Sequence, residues 1–167
     1  MKTRWQSGVT LIELMIGVAL MAVVLGLAVP GFQELIANNR LVTQTNNLVT
    51  AIHFARAEAA KRGLTVSIRV TDNADAANEW GKGWTIFIDA NGDGLVTAGE
   101  EIRASDSIPG TITMDSTGNI SLYNFFANGF AGGIDTVNVC DGRAGESGRQ
   151  ISISATGRVR TDPLACA

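Results

Sequence analysis

Asp89, Asn91, Asp93 and Glu100 stand at positions 1, 3, 5 and 12 of the segment DANGDGLVTAGE, with Gly94 at the sixth. Oxygen-bearing side chains at alternating positions, a glycine at the sharp turn, the carbonyl of Leu95 and Thr97 acting through water are what a hard cation with six to eight oxygen ligands requires. The segment therefore fits a calcium loop. A strand-like run precedes it in place of a helix, and Asn91-Gly92 followed by Asp93-Gly94 is equally a hairpin signal. Two readings stand: a calcium site at Asp89, Asn91, Asp93, Leu95 and Glu100, or a turn that needs no metal. No other cofactor is indicated.

Catalytic constellations are missing from the sequence. It has one histidine, His53, near the apolar side of a helical pattern and read as a packing residue; there is no GxSxG, no GxxxxGK[ST] and no pair of carboxylates in an evident cleft. Trp80, Trp84, Phe87 and Phe125 read as core, since Trp84 and Phe87 lie in a strongly apolar strand pattern. The chain is taken as non-enzymatic. With 13 Lys and Arg against 16 Asp and Glu, a net charge of −3, it is no generally basic nucleic-acid binder, although a local patch remains open.

The remaining ionisable residue with chemical interest is Glu13, alone in the apolar run from Val9 to Val29. As a helix that run spans roughly 31 Å, enough to cross a hydrocarbon core of about 30 Å. Lys2 and Arg4 precede it, so the positive-inside bias keeps the N-terminus in the cytoplasm and sends the rest across. A carboxylate inside a span costs about 2.5 to 3.5 kcal/mol on insertion scales. Glu13 either snorkels to the headgroups or meets a cation, and cleavage after Gly8 would supply one as the α-amine of Val9. No small-residue cleavage site follows the span, so the helix stays on the mature chain.

Behind the span the helical period resumes after Pro30, with Phe32, Leu35, Ile36, Val42, Val49, Ile52, Ala55 and Ala59 at spacings of three, four and seven. The pattern predicts an amphipathic continuation over 30–62, kinked or loosened at Pro30 and stopped by Gly63. From Leu64 the period becomes two, which predicts strands at 64–70, 84–89, 101–108, 111–114, 119–122, 136–140, 150–154 and 158–160. Glycine-rich stretches at 128–133 and 142–148 separate some of these. A long helix followed by short antiparallel strands is an α+β fold, with the sheet on the helix's apolar face.

Gly8 followed by VTLIEL and an unbroken apolar helix ending at Pro30 resembles the class III signal of type IV pilins and type II secretion pseudopilins. The resemblance implies a leader, residues 1–8, removed after Gly8 by the prepilin peptidase. It also implies N-methylation of Val9 and a membrane or filament-core helix over 9–29. The chain would be held in the bacterial inner membrane in a single pass, with its C-terminal domain in the periplasm, until assembly with other pilins or pseudopilins. Glu13 takes the place of the glutamate that pairs with a neighbouring subunit's terminal amine, and Val9 departs from the phenylalanine usual there. Loss of Lys2 and Arg4 with the leader would leave 11 basic residues against 16 acidic, a net of about −5.

Further along, NNR at 38–40, FARAEAAKRG at 54–63, GWTIFIDANGDG at 83–94, GEEI at 99–102 and ISATGRVR at 153–160 resemble, in that order, the GspH/FimT branch of the family. They imply a type IV pilin-like fold with a β-rich domain over 63–167. The implied role is that of a minor pilin priming or capping a type IV pilus. The alternatives are a GspH-type pseudopilin of type II secretion and a FimT-type minor pilin that binds DNA in natural transformation.

Cys140 and Cys166 both lie on the translocated side, where a disulfide is permitted, the other reading being two free thiols. Members of the branch that bind DNA do so through a C-terminal GRxR segment, matched here by Gly157, Arg158, Val159 and Arg160. With Arg143 and Arg149 these form the candidate DNA contacts. Three acids, Asp141, Glu146 and Asp162, share that quarter of the chain, so its local charge is only about +1. Pairing of Arg158 or Arg160 with such acids is the competing reading.

Overall fold

The computed structural model describes residues 8–74, 77–108, 110–143 and 145–166, with the backbone alone at Pro30, Glu146 and Ser147. Residues 1–7 of the expected leader, Lys2 and Arg4 among them, lie outside the described residues. The chain divides into two compact units, Met1–Ala37 and Asn38–Ala167.

In the first unit the described residues after Thr10 belong to α1 (Leu11–Arg62), which continues into the second unit. The helix runs through Pro30 without interruption. A proline removes one donor, whereas the turns on either side keep theirs, and that suffices to carry the helix past the expected loosening. From Gly8 to Ile36 every residue whose burial is described is solvent-exposed, and an 18-residue window there has a mean hydropathy of 2.5. In water such a surface would collapse or associate, so it must be covered by lipid or by other protein.

In the second unit α1 buries Leu41, Thr45, Leu48, Ile52, Ala55 and Ala59, an alternation of threes and fours that lines one face. This corrects the expected stripe. Ile52, Ala55 and Ala59 hold, but Phe32, Leu35, Ile36 and Val42 are exposed and Val49 is half-buried. His53, expected to pack, is exposed. Gly63 ends the helix as expected, in the left-handed region at φ 68° with its N–H donating to Ala59 O at 2.9 Å.

Among the described residues nine strands follow: β1 (Val66–Val70), β2 (Trp84–Ile88), β3 (Glu101–Ser105), β4 (Thr113–Ser116), β5 (Leu122–Phe125), β6 (Ala131–Gly132), β7 (Thr136–Cys140), β8 (Gly145–Ile153) and β9 (Val159–Cys166). They form two antiparallel sheets, ordered β3-β2-β1-β5-β6 and β4-β7-β8-β9. One apolar cluster unites the α1 stripe with Val66, Ile68, Trp84, Ile86, Tyr123 and Phe125 of the first sheet and Met114, Val137, Val139, Ile151 and Ile153 of the second. Trp80 stacks on Tyr123 with ring centroids 4.7 Å apart, and its indole N–H donates to Ile120 O at 2.9 Å.

The structure moves several strand boundaries: the expected 101–108 shortens to β3, 111–114 shifts to β4, and the glycine-rich 128–133 stretch holds β6. The expected strand at 119–122 begins only at Leu122, because Asn119 turns the chain with φ 50°. The glycine-rich 142–148 stretch already contains the start of β8, and 158–160 lengthens into an eight-residue β9. Charged and glycine positions hid the alternation at these places.

Candidate functional site

Thr10 caps α1. Its Oγ1 accepts the N–H of Glu13 at 3.3 Å, so Thr10 and Glu13 occupy the first and fourth positions of a capping box. The Glu13 carboxylate thus sits in the first turn, where the exposed amide dipoles favour a negative charge. Its side chain has no partner among the described residues. From Gly8 to Gln33 it is the only acidic or basic residue on an otherwise apolar or uncharged surface.

In the second unit, Cys140 closes β7 onto the end of β9 through a disulfide to Cys166, with Cα atoms 6.0 Å apart. The bridge packs on Gly148 of β8, where a Cβ would stand 2.3 Å from Cys166 Sγ and 2.9 Å from Val139 O. Gly148 is therefore a requirement of the bridge that spacing did not reveal.

The four candidate DNA-binding arginines have different fates. Arg143 grips Asp141 with Nε 2.8 Å from Oδ2 and Nη2 2.5 Å from it, and donates to Asn38 Oδ1 at 2.8 Å. The guanidinium of Arg143 holds the Asp141 carboxyl below its usual pKa. Arg160 donates to Asp162 Oδ1 at 2.9 Å, and Arg149 donates to Gly148 O at 2.8 Å. Arg158 is exposed, and its guanidinium has no hydrogen bond or ion pair among the described residues. Arg158 and Arg160 line one shallow groove with Ser152 and Ser154, away from the Arg143–Asn38 contact.

Gly157 of the GRVR segment answers to packing. Its φ is 70°, its N–H donates to Ser154 O at 2.8 Å, and a Cβ there would lie 2.6 Å from Gly129 O. Gly129 O also accepts Arg56 Nε at 2.9 Å, and Ala131 N–H donates to Ala155 O at 2.9 Å. These contacts join α1, the first sheet and the β8–β9 turn. Arg56 of the FARAEAAKRG segment was not singled out from sequence, because a lone arginine on a helix gives no signal of a distant carbonyl.

In the 89–100 loop Asp89 Oδ2 accepts Gly94 N–H at 3.2 Å, Asn91 Oδ1 accepts Asp93 N–H at 3.2 Å and Asp93 Oδ1 accepts Leu95 N–H at 2.7 Å. Glu100 folds back on Thr97, accepting its hydroxyl at 2.6 Å. Arg69 Nη1 donates to Gly94 O at 2.6 Å. Asp89 is buried, and its Oδ1 has no hydrogen-bond partner among the described residues. The loop is thus a hydrogen-bonded turn with one unsatisfied carboxylate oxygen.

A second acidic cluster gathers around Ser116. Glu79 is 2% exposed and accepts Ser116 N–H at 3.0 Å; burial pushes its pKa up. Burial also pushes Asp135 upward, but hydrogen bonds from Ser116 Oγ, Thr136 N–H, Gly118 N–H and Thr117 Oγ1 hold it below the usual range. The two carboxylates share Ser116 and tie η1 (Trp80–Lys82), a short 3₁₀ turn, to β4. The cluster is structural.

Comparison with known proteins places these features in a context. Residues 44–157 match the model of the family described as type II transport protein GspH, and residues 6–29 match the prokaryotic N-terminal methylation motif. The pilin-like protein PilA1 of Thermus thermophilus is 32% identical over 102 residues, which cover 60% of this chain and 59% of that protein. The chain thus spans rather more than half the length of that curated relative. Among solved structures, the type IV minor pilin FimU of Pseudomonas aeruginosa is similar with a TM-score of 0.60 and 27% identity, over 75% of this chain and 90% of FimU. A second crystal form of FimU gives a TM-score of 0.59, with 26% identity over 74% and 93% of the two chains.

Proposed function

The chain belongs to the GspH family of minor pilins and pseudopilins, and from that membership we propose that it is a minor pilin that primes or caps a type IV pilus. The likeness to FimU over 90% of that protein is the observation that carries the pilus reading. The N-terminal methylation motif brings with it the prepilin peptidase and assembly with other pilins or pseudopilins. On this reading the peptidase cuts after Gly8 and Val9 becomes a methylated terminus. The processed chain waits in the inner membrane, its β-domain in the periplasm, until lipid around the apolar part of α1 is exchanged for neighbouring helices.

Glu13 supplies direction to that exchange. A lone carboxylate four residues behind the new amine is costly in lipid and is neutralised when the amine of an adjacent subunit reaches it, so the filament, not the membrane, is its low-energy environment. Within the second unit the disulfide ties β9 to β7, and the Arg56–Gly129–Gly157 joint ties α1 to the β8–β9 turn.

Deleting the gene and restoring it with wild-type or Glu13→Ala chains tests the proposal. Loss of surface pili and of twitching, restored by the wild type only, supports the pilus role. Intact pili with lost export of secreted enzymes would assign the chain to a type II secretion pseudopilus, the role carried by the description of the matched family. A second reading, DNA contact, rests on Arg158 and Arg160 lining one groove. Two phosphate contacts give a salt slope of about −2. Duplex binding at low salt that is equal for wild type and an Arg158→Ala/Arg160→Ala variant would dismiss it.

A further inference from the structure

We propose that the loop from Asp89 to Glu100 binds calcium through Asp89, Asn91, Asp93, the Leu95 carbonyl and Glu100. The ligand order in the sequence is one observation, and the state of Asp89 is a second. Asp89 is 6% exposed, one carboxylate oxygen accepts Gly94 N–H within the loop, and the other is buried with no donor among the described residues. A buried carboxylate oxygen without a partner is unfavourable, and a cation seated in the loop satisfies it. The position of Asp89 is fixed from behind, because its N–H donates to Thr65 O at 3.1 Å where β2 ends.

Among the described residues no three acidic, histidine or cysteine side chains already converge on a metal-sized point. Binding therefore requires Glu100 to leave Thr97 and turn into the loop, and Asp93 Oδ2 to give up the Asn91 amide that donates to it at 2.8 Å. Asp93 Oδ1 keeps the Leu95 N–H, and the one side-chain oxygen of Asn91, which accepts Asp93 N–H, offers its second lone pair. That demand selects calcium over magnesium. Calcium accepts six to eight oxygens in irregular geometry, whereas magnesium requires a near-ideal octahedron and gives up water reluctantly. Arg69, bonded to Gly94 O, places a positive charge beside the site and weakens it. An affinity in the range of about 10⁻⁴ to 10⁻³ M, that of extracellular calcium modules, follows.

Occupancy would fix the connection between β2 and β3 at the edge of the first sheet, where Leu95 and Val96 are exposed. Calcium thereby sets the shape of an exposed apolar patch in whichever filament the subunit enters.

The test uses the full mature chain in detergent, titrated calorimetrically with calcium chloride and melted in chelator, in about 2 mM calcium and in about 2 mM magnesium. With a Kd of about 0.2 mM, 2 mM calcium shifts the folding equilibrium ~11-fold and raises Tm by roughly 3 to 6 °C, and magnesium does so by far less. Asp89→Asn and Glu100→Gln should abolish the calcium response, and Arg69→Gln should tighten binding about threefold. If Asp89→Asn fails to fold, Glu100→Gln decides alone. No heat and no calcium-dependent Tm in the wild type, an equal response to magnesium, or a full response retained by Glu100→Gln would each overturn the proposal.

Discussion

Opening the Cys140–Cys166 bridge should be the most destabilising single chemical change to the β-domain that leaves its core untouched. The two cysteines are 26 residues apart, and the chain-entropy relation for a loop of that length gives about 3.5 kcal/mol at 25 °C. For a domain of this size that corresponds to roughly 7 to 14 °C in Tm. The loss should be local first. β9 is the outermost strand of its sheet, held on one side by β8, so without the bridge its end frays before the rest unfolds. A Cys140→Ser/Cys166→Ser variant, melted beside wild type with and without reductant, measures the effect, and amide exchange along β9 locates it. Gly148→Ala should act on the same element, since its methyl would meet both Cys166 Sγ and the Val139 carbonyl. A Tm change below about 2 °C in the double serine variant, with unchanged exchange in β9, would refute the reasoning.

Three other outcomes are expected. Glu13→Ala should insert into the membrane more readily, by about 2.5 to 3.5 kcal/mol on insertion scales, yet be depleted from sheared filaments; normal incorporation on immunoblots would show the charge is merely tolerated. Gly157→Ala should lower stability by roughly 1 to 3 kcal/mol, because φ is 70° and the new Cβ meets Gly129 O, and denaturant unfolding measures it. Burial raises the Glu79 pKa in the fold above its unfolded value, so the folded state takes up the proton more readily and gains stability as pH falls through the raised pKa. Glu79→Gln should therefore raise Tm at pH 8 and lose that advantage towards pH 4; a pH-independent difference would contradict the sign.

The parts of the molecule legible in the sequence are those set by local periodicity or by a strict spacing. The apolar run with its single glutamate, the stop at Gly63 and the strands at 66–70, 84–88 and 136–140 depend on neighbours in the chain, and they appear close to where the pattern puts them. The helix stripe was misplaced because Val42 and Leu41 are equally apolar. Only the sheets decide which of the two faces inward, and they chose Leu41, Thr45 and Leu48. Non-local contacts were invisible: Gly148 beneath the disulfide and Arg56 reaching the Gly129 carbonyl depend on elements meeting across the fold, whereas the Arg160–Asp162 pair, two residues apart on β9, is one of the readings the sequence offers. The GRVR segment shows the mixture well. Its glycine is explained by packing and one arginine by an ion pair, which leaves Arg158 as the residue whose charge faces solvent.

The central claim, that this chain is processed as a prepilin and built into a filament by its exposed helix, is tested most directly at the mature N-terminus. Filaments sheared from cells, and pseudopili from cells overproducing the secretion system, are digested and analysed by mass spectrometry for peptides of this chain. The account predicts a terminal peptide that begins at Val9, carries one additional methyl group on its amine and is enriched in the filament fraction. A chain that begins at Met1, or is cut anywhere beyond the apolar helix, or is absent from both filament fractions while abundant in membranes, would contradict it.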